Sequence, residues 1–363
     1  MTPVFRLTAD CIWNSFRSSG KRHLILTGAK GAGKTTLLSR LFPHSLPGLT
    51  SWAEPEKGVY LKENTSGETV QVGIYDPAPA GRENKMVLLN DGFTSFGVPA
   101  LERCRASGSP WGSVDEVGYL EAQCEAYLDA LDRLMQCKQL AAVVRKQQLP
   151  FLQALCRRED VFLVDLDDPF GDAGCVIMAS GLGKRFGSNK LMAEFDGRPM
   201  LCQILDATEG IFTRRVVVTR HEAVARLCQE RDISCVLHTL PHRSDTVRLG
   251  LERLEGAERC MFCAGDQPRL GWETVASLAL SAVNTPDLIW RTSYEGTPAA
   301  PVIFPSWAFP QLLSLPEGKG GGVVVKRHPE LVRLVEAGNA KELIDVDTPE
   351  ILEQLLQMES GAV

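Results

Sequence analysis

Residues 178–190 read Met-Ala-Ser-Gly-Leu-Gly-Lys-Arg-Phe-Gly-Ser-Asn-Lys, and their first residue closes the short apolar run Cys175-Val176-Ile177-Met178. Such a run is what a strand buried in a parallel sheet requires. It opens into Gly181, Gly183 and Gly187, interleaved with Lys184, Arg185 and Lys190. Glycines let the backbone turn sharply and bring its N–H groups to a ligand, while the cations neutralise that ligand's charge. The pattern predicts a nucleoside triphosphate site, with Arg185 and Lys190 at the phosphates and Ser180, Gly181, Gly183 and Gly187 in the loop around the nucleotide. An ordinary βα turn with solvated basic residues is the plainer alternative. The order Gly-x-Gly-x-Arg-Phe-Gly-x-x-Lys-Leu is much more restrictive than a lone glycine-rich loop.

A second hydrophobic run, Arg259-Cys260-Met261-Phe262-Cys263-Ala264, leads into Gly265-Asp266-Gln267-Pro268 and delivers one carboxylate to the end of a strand. Between these runs strands and helices alternate, and Pro241 to Arg248 falls at the sheet edge where ligands bind in open α/β folds. Cys260 and Cys263 have CxxC spacing but lie inside the apolar strand with no second pair, so they read as core.

These residues resemble the signature of the nucleotidyltransferases that finish molybdenum cofactor, molybdopterin cytidylyltransferase and the related guanylyltransferase. Their usual form is Leu-Ala-Ala-Gly-x-Ser-x-Arg-Met/Phe-Gly-x-x-Lys-Leu. The chain departs from it at Ser180 and Gly183, where the family commonly has Ala and Ser. The resemblance runs from Cys175 to the C-terminus. It implies that Ser244, at a Ser-rich helix start, helps hold nucleotide and that Asp266 binds the Mg²⁺ that bridges the triphosphate. Asp345-Val346-Asp347-Thr348-Pro349-Glu350 matches the family's terminus. Because a metal needs more than one carboxylate, Asp347 is the expected second ligand and Asp345 a further candidate. The implied reaction is attack by a molybdopterin phosphate on the α-phosphate of the triphosphate, with release of pyrophosphate. Lys190-Leu191-Met192 is closer to the cytidylyltransferase form than to the Asp-Lys-Gly of the guanylyltransferases, which favours CTP over GTP. Gly318 to Gly322, with Lys319, Lys326 and Arg327, would meet the acceptor phosphate. A guanylyltransferase or a sugar-phosphate nucleotidyltransferase are the alternatives, since loop and metal chemistry are shared.

The first half carries its own signal. His23-Leu24-Ile25-Leu26-Thr27 reads as a buried strand, followed by Gly28-Ala29-Lys30-Gly31-Ala32-Gly33-Lys34-Thr35-Thr36 and a helix from Leu37 to Phe42. This is a Walker A motif in strand–loop–helix context. The backbone of Gly28, Gly31, Gly33 and Thr36 would cradle phosphates, Lys34 would reach the β and γ oxygens, and Thr35 would ligate Mg²⁺. Val114-Asp115-Glu116-Val117-Gly118-Tyr119-Leu120-Glu121 follows as a Walker B candidate, Asp115 for Mg²⁺ and Glu116 to orient or deprotonate water. The stretch before it, Gly108 to Ser113, is poor in apolar residues, which leaves a solvated helix start as the alternative. Val59–Leu61 and Thr69–Tyr75 read as a hairpin, and Lys85 to Leu89 as a strand. The Walker A, the acidic box and the hairpin together resemble the small nucleoside triphosphatases of the THEP type. A nucleotide-dependent docking module without catalysis, serving a molybdoenzyme client, is the other reading.

The 363 residues fit two domains of ~100–200 residues each. An acidic, Pro- and Gly-bearing stretch, Asp165 to Gly174, reads as the linker. The expected fold is α/β with two doubly wound three-layer domains. Residues 1–168 would form a P-loop NTPase and 174–363 a Rossmann-like nucleotidyltransferase. A net charge of -6 gives no electrostatic reason to expect nucleic acid or anionic membrane as partner. Met1 to Ser19 holds no uninterrupted apolar run, so neither signal peptide nor membrane span is expected. Eleven scattered cysteines argue for reduced thiols in a cytoplasm.

Overall fold

Every residue of His23-Leu24-Ile25-Leu26-Thr27 is buried, and the strand they form, β1 (His23–Thr27), pairs in parallel on both sides. An unbroken apolar run demands that position. The computed structural model describes residues 7–77, 86–89 and 91–360. The chain divides into two compact units: Gly20–Pro169, and the residues from Phe170 onward joined by the helix α1 (Ala9–Ser19).

In the Gly20–Pro169 unit, β1 shares one sheet with β2 (Gly48–Glu54), β3 (Gly58–Glu63), β4 (Thr69–Tyr75), β5 (Met86–Leu88), β6 (Trp111–Val117), β7 (Gln139–Val144) and β8 (Val161–Asp165). Their order is β5-β4-β3-β2-β6-β7-β1-β8. The helices are α2 (Lys34–Leu41), α3 (Val98–Ala106), α4 (Glu125–Cys137) and α5 (Pro150–Cys156). Strands β2, β6, β7, β1 and β8 run parallel, and β3, β4 and β5 extend the sheet antiparallel. The expected hairpin is β3–β4; Lys85, expected in the next strand, lies outside the described residues. β6 sits mid-sheet although Ser113 and Asp115 face the interior, because each has a polar partner: Asn64 Nδ2 at 3.1 Å and Thr35 Oγ1 at 3.2 Å. That explains its faint sequence signal.

The other unit holds β9 (Ala173–Ala179), a small ribbon of β10 (Glu194–Phe195) and β11 (Arg198–Pro199), then β12 (Arg214–Thr219), β13 (Ser234–Leu237), β14 (Arg259–Ala264), β15 (Ile289–Tyr294), β16 (Thr297–Pro305) and β17 (Val332–Glu336). Its helices after α1 are α6 (Leu201–Ala207), α7 (Glu222–Glu230), α8 (Arg243–Arg253), α9 (Trp272–Asn284), α10 (Phe309–Leu313), α11 (Gly322–Arg327) and α12 (Pro349–Ser360). The main sheet has the order β13-β12-β9-β14-β16-β15-β17. Strands β13, β12, β9 and β14 are parallel. Val176, Val216, Val218, Cys260 and Phe262 pack with Val247 and Leu251 of α8. Helix and strand touch closely: a Cβ on Gly250 would stand 2.4 Å from Val176 Cγ1. Cys260 and Cys263 are buried in β14, as core residues should be.

Two expectations need correcting. Neither sheet is wholly parallel, so the doubly wound description holds only in part. β16 runs antiparallel to both neighbours, because β15 and β16 join through Glu295-Gly296, whose φ values of 48 and 73 make a turn too short for a crossover. The first domain also does not begin at residue 1. α1 buries Cys11, Ile12 and Phe16 and packs on α9 of the other unit, where Ser15 Oγ donates to Ser277 O at 2.9 Å. Among the described residues no helix is long and apolar enough to cross a membrane.

The α1 contact has a measurable outcome. A fragment of residues 170–363 should melt several degrees lower than the same fragment supplied with a peptide of residues 7–19, since Ile12 and Phe16 are each worth about 1.5–3 kcal/mol when buried. Identical melting curves would show that α1 adds nothing to this unit.

Candidate functional site

Each unit places a ligand-sized cleft at the C-terminal ends of its parallel strands. In the Gly20–Pro169 unit the loop after β1 enters α2 through Gly33, held at φ 91, a conformation that favours glycine. Lys34 Nζ folds over its own loop and donates to the carbonyls of Gly28 and Ala29, at 2.8 Å each. These are contacts a phosphate would replace. Thr35 Oγ1 donates to Asp115 Oδ1, so the two expected Mg²⁺ oxygens lie side by side. Burial pushes the Asp115 carboxyl up to about 6; Thr35 draws it down and Glu116 adds to the rise. β7 lies between β1 and β6 and brings Arg145, just past its end, to Glu116: Nε to Oε1 is 2.5 Å. The cleft, about 910 Å³, is lined by Gly28, Gly31, Gly33, Lys34, Thr35 and Thr36, and by Glu116 and Arg145.

Three participants here were not expected. Arg145 is one. Asp167, assigned to the linker, accepts the Ala29 N–H at 3.0 Å, and that bond, then Lys146, holds its carboxyl below the usual range. Lys146 itself bridges Asp165 and Asp167, at 2.7 and 3.0 Å. All three stand just beyond β7 or β8, and only the strand order brings them to the loop.

In the other unit the loop after β9 turns through Gly183, at φ 58, where a Cβ would lie 2.5 Å from Ser188 O. The family's Ser could not sit there unchanged. Phe186 N and Gly187 N both donate to Gly183 O, at 2.9 and 3.1 Å, closing the turn. The loop ends on Lys190, whose buried ammonium meets Asp266 Oδ2 at 2.5 Å and Asp347 Oδ1 at 3.0 Å. Arg185 reaches the other oxygen of Asp347 at 2.7 Å. Asp345 is close by, its carboxyl pushed up by burial and then by the charges of Asp266 and Asp347. The cleft of about 630 Å³ is lined by Ser180, Gly181, Gly183, Arg185, Lys190, Asp266, Asp345 and Asp347, and facing them by Arg220, Arg243 and Thr246.

Two expected nucleotide contacts fall elsewhere. Ser244 is buried in the first turn of α8 and does not line the cleft; Arg243 and Thr246, three residues apart on one helix face, do. Gly187 serves the turn rather than the cleft wall. Arg220 is a further cation not foreseen: Nε donates to Ser180 O at 3.1 Å. Among the described residues no three His, Cys, Asp or Glu side chains gather as a ready metal cage. Asp266 and Asp347 nevertheless reach one ammonium from two sides, and such a pair of hard oxygens suits Mg²⁺ completed by phosphate oxygens.

Residues 175–332 match the MobA-like NTP transferase domain, a stretch that takes in Lys190 and Asp266 and stops short of Asp347. Bifunctional protein GlmU of Paracidovorax citrulli is 32% identical over 132 residues, 31% of this chain and 28% of that protein's length. The crystal structure of Rv0371c from Mycobacterium tuberculosis H37Rv aligns over 51% of this chain and 97% of its own, at 20% identity and a TM-score of 0.44. Nucleoside-triphosphatase THEP1 of Thermotoga maritima is 30% identical over 152 residues, 40% of this chain and 86% of that protein. By that match, alongside a glycine-rich loop in its strand–loop–helix setting, the chain belongs to the THEP1 family of nucleoside triphosphatases.

Proposed function

We propose that the unit built on β9 and β14 transfers a nucleotidyl group from a nucleoside triphosphate to an acceptor phosphate. The observation that carries this is the meeting of Lys190, Arg185, Asp266 and Asp347 beneath a glycine-rich loop in one cleft. A bond forms between an acceptor phosphate oxygen and the α-phosphorus; the bond to the bridging oxygen breaks, and pyrophosphate leaves. Lys190 and Arg185 hold the triphosphate and stabilise the charge that builds on the leaving group. Arg220 and Arg243 hold the nucleotide from the facing wall. Asp266 and Asp347 hold Mg²⁺, which when bound neutralises the triphosphate. The protein supplies in-line positioning and charge, and no covalent intermediate is needed.

The donor we favour is CTP and the acceptor molybdopterin, supported by the signature of residues 178–192. In support of the 318–322 loop as the acceptor's contact, Gly320 fits closely against the cleft-lining Arg243, where a Cβ would lie 3.0 Å from Nε. In the Gly20–Pro169 unit, Lys34 and the loop N–H groups bind the β and γ phosphates of a second triphosphate, Thr35 and Asp115 hold Mg²⁺, and Glu116 takes the proton of an attacking water. Eleven free thiols suit a reducing, cytoplasmic setting.

Three outcomes are expected. Asp266→Asn should lower pyrophosphate release by at least about a hundredfold while the protein stays folded, because Asp347 keeps Lys190 paired. Near-normal release by the folded variant would remove Asp266 from the chemistry. With molybdopterin as acceptor, kcat/KM should favour CTP over GTP by at least about tenfold, a difference of about 1.4 kcal/mol; a preference for GTP would reverse the donor and leave the transfer standing. Asp115→Asn should abolish Mg²⁺-dependent hydrolysis yet raise the thermal transition. The sign follows from burial. A carboxyl raised to about 6 is charged at a cost above that pH and neutral below it, so the gain should be larger at pH 8 than near pH 5. A variant that melts lower at pH 8 than the parent would contradict it.

A further inference from the structure

Ser180 stands where the resembled family commonly has Ala, and its hydroxyl is fully engaged. It gives its single proton to Val218 O at 3.0 Å. Its 2.8 Å contact with His238 Nε2 therefore needs a proton on the nitrogen. The other ring nitrogen, Nδ1, accepts the Leu240 N–H at 3.2 Å. Only one protonation state serves both contacts: the neutral ring with its proton on Nε2. An imidazolium would set Nδ1–H against Leu240 N–H, donor against donor.

The position of this ring gives the contact its consequence. Ser180 and Gly181 form one wall of the nucleotide cleft, and Pro241, Arg243 and Thr246 form the other. His238 begins the segment that leads to the second wall. Arg220 spans the same gap, donating from Nε to Ser180 O at 3.1 Å and from Nη2 to Pro241 O at 3.3 Å. The bond from His238 to Ser180 crosses that gap beside Arg220, and the bond from Leu240 N–H holds the ring in place to make it.

We propose that neutral His238 is a positioning residue that clasps the two walls of this cleft, so that protonation of its ring loosens nucleotide binding. The inference rests on the reading of this cleft as a nucleotide site. Two charged groups face the ring, Arg220 from the end of β12 and Asp245 from α8. Burial, then Arg220, lowers its pKa below the ordinary histidine value, against a smaller opposite pull from Asp245. A depressed histidine keeps its neutral-state contacts through neutral pH and loses them as pH falls through the lowered value.

The test is calorimetric titration of Mg–CTP into the full chain carrying Lys34→Ala, which leaves this cleft as the site read. Binding should weaken by at least about twofold between pH 7.5 and 5.0, as the ring takes up its proton. His238→Phe should bind weakly at both, with little pH dependence. Ser180→Ala, a one-atom deletion that keeps the fold if His238→Phe does not, should bind more weakly than the parent at pH 7.5 and show a flatter profile. That flattening separates His238 from Asp345, whose surroundings are the same in both proteins. Histidine ¹⁵N spectra at pH 7.5 should show the His238 proton on Nε2. Variants that bind as the parent does with the parent's pH slope, or a proton found on Nδ1, would overturn the clasp alone. A parent that binds neither Mg–CTP nor Mg–GTP at pH 7.5 would overturn the nucleotide cleft and the clasp with it.

Discussion

One buried ammonium holds the second cleft together. Lys190 comes from the loop after β9, Asp266 from the end of β14, and Asp347 from the segment that enters α12, and the three meet within 3.0 Å contacts. Burial works against the charge on Lys190, yet its hydrogen bonds to Asp266 and Asp347 hold its pKa above the ordinary value. Removing either carboxylate leaves the other in place, whereas removing the lysine would leave two acids facing each other beside a third, Asp345. Breaking a buried pair from one side costs about 3–5 kcal/mol, so the lysine is the member that the arrangement can least lose. Three segments far apart in sequence are thus tied by electrostatics at the point where the chemistry is proposed.

What was legible in the chain was whatever is local. The buried strands β1, β9 and β14 announce themselves as apolar runs, and the two glycine-rich loops follow them directly. The Asp-Glu pair on β6 was visible, although its strand was faint, because Ser113 and Asp115 owe their burial to Asn64 and Thr35 and not to hydrophobicity. Residues whose role depends on strand order were not legible. Arg145, Asp167, Arg220 and His238 are single polar residues just past strand ends, and nothing in their immediate sequence marks them. α1 shows the same limit. Its stretch holds no uninterrupted apolar run to mark it, and its partner, α9, lies more than two hundred and fifty residues away, as Ser15 and Ser277 show.

Both clefts use one physical plan with different parts. Parallel strands end together, a glycine-rich turn exposes N–H groups, a carboxylate arrives on another strand, and lysine or arginine supplies the counter-charge. The cations hold partners that the protein itself supplies. Lys34 bonds to its own loop carbonyls, Arg145 to Glu116, and Lys190 and Arg185 to aspartates. These cations are thereby ordered rather than left desolvated and unpaired.

That pairing constrains what can enter. A bare triphosphate that took Lys190 and Arg185 would strip Asp266 and Asp347 of their partners and leave three carboxylates, Asp345 included, close together and unneutralised. A triphosphate arriving with its own divalent cation exchanges partners one for one: phosphate oxygens take the ammonium and guanidinium, and the carboxylates take the cation. Against the three pairs of the resting cluster, the number of close ion pairs falls in the first case and does not fall in the second. At an effective dielectric of about 20, each unit-charge pair lost at 4 Å is worth about 4 kcal/mol, more than two powers of ten in affinity. On the proposed reading of this cleft, the lysine–aspartate cluster itself would select the metal-bound form of the nucleotide, before any group is transferred.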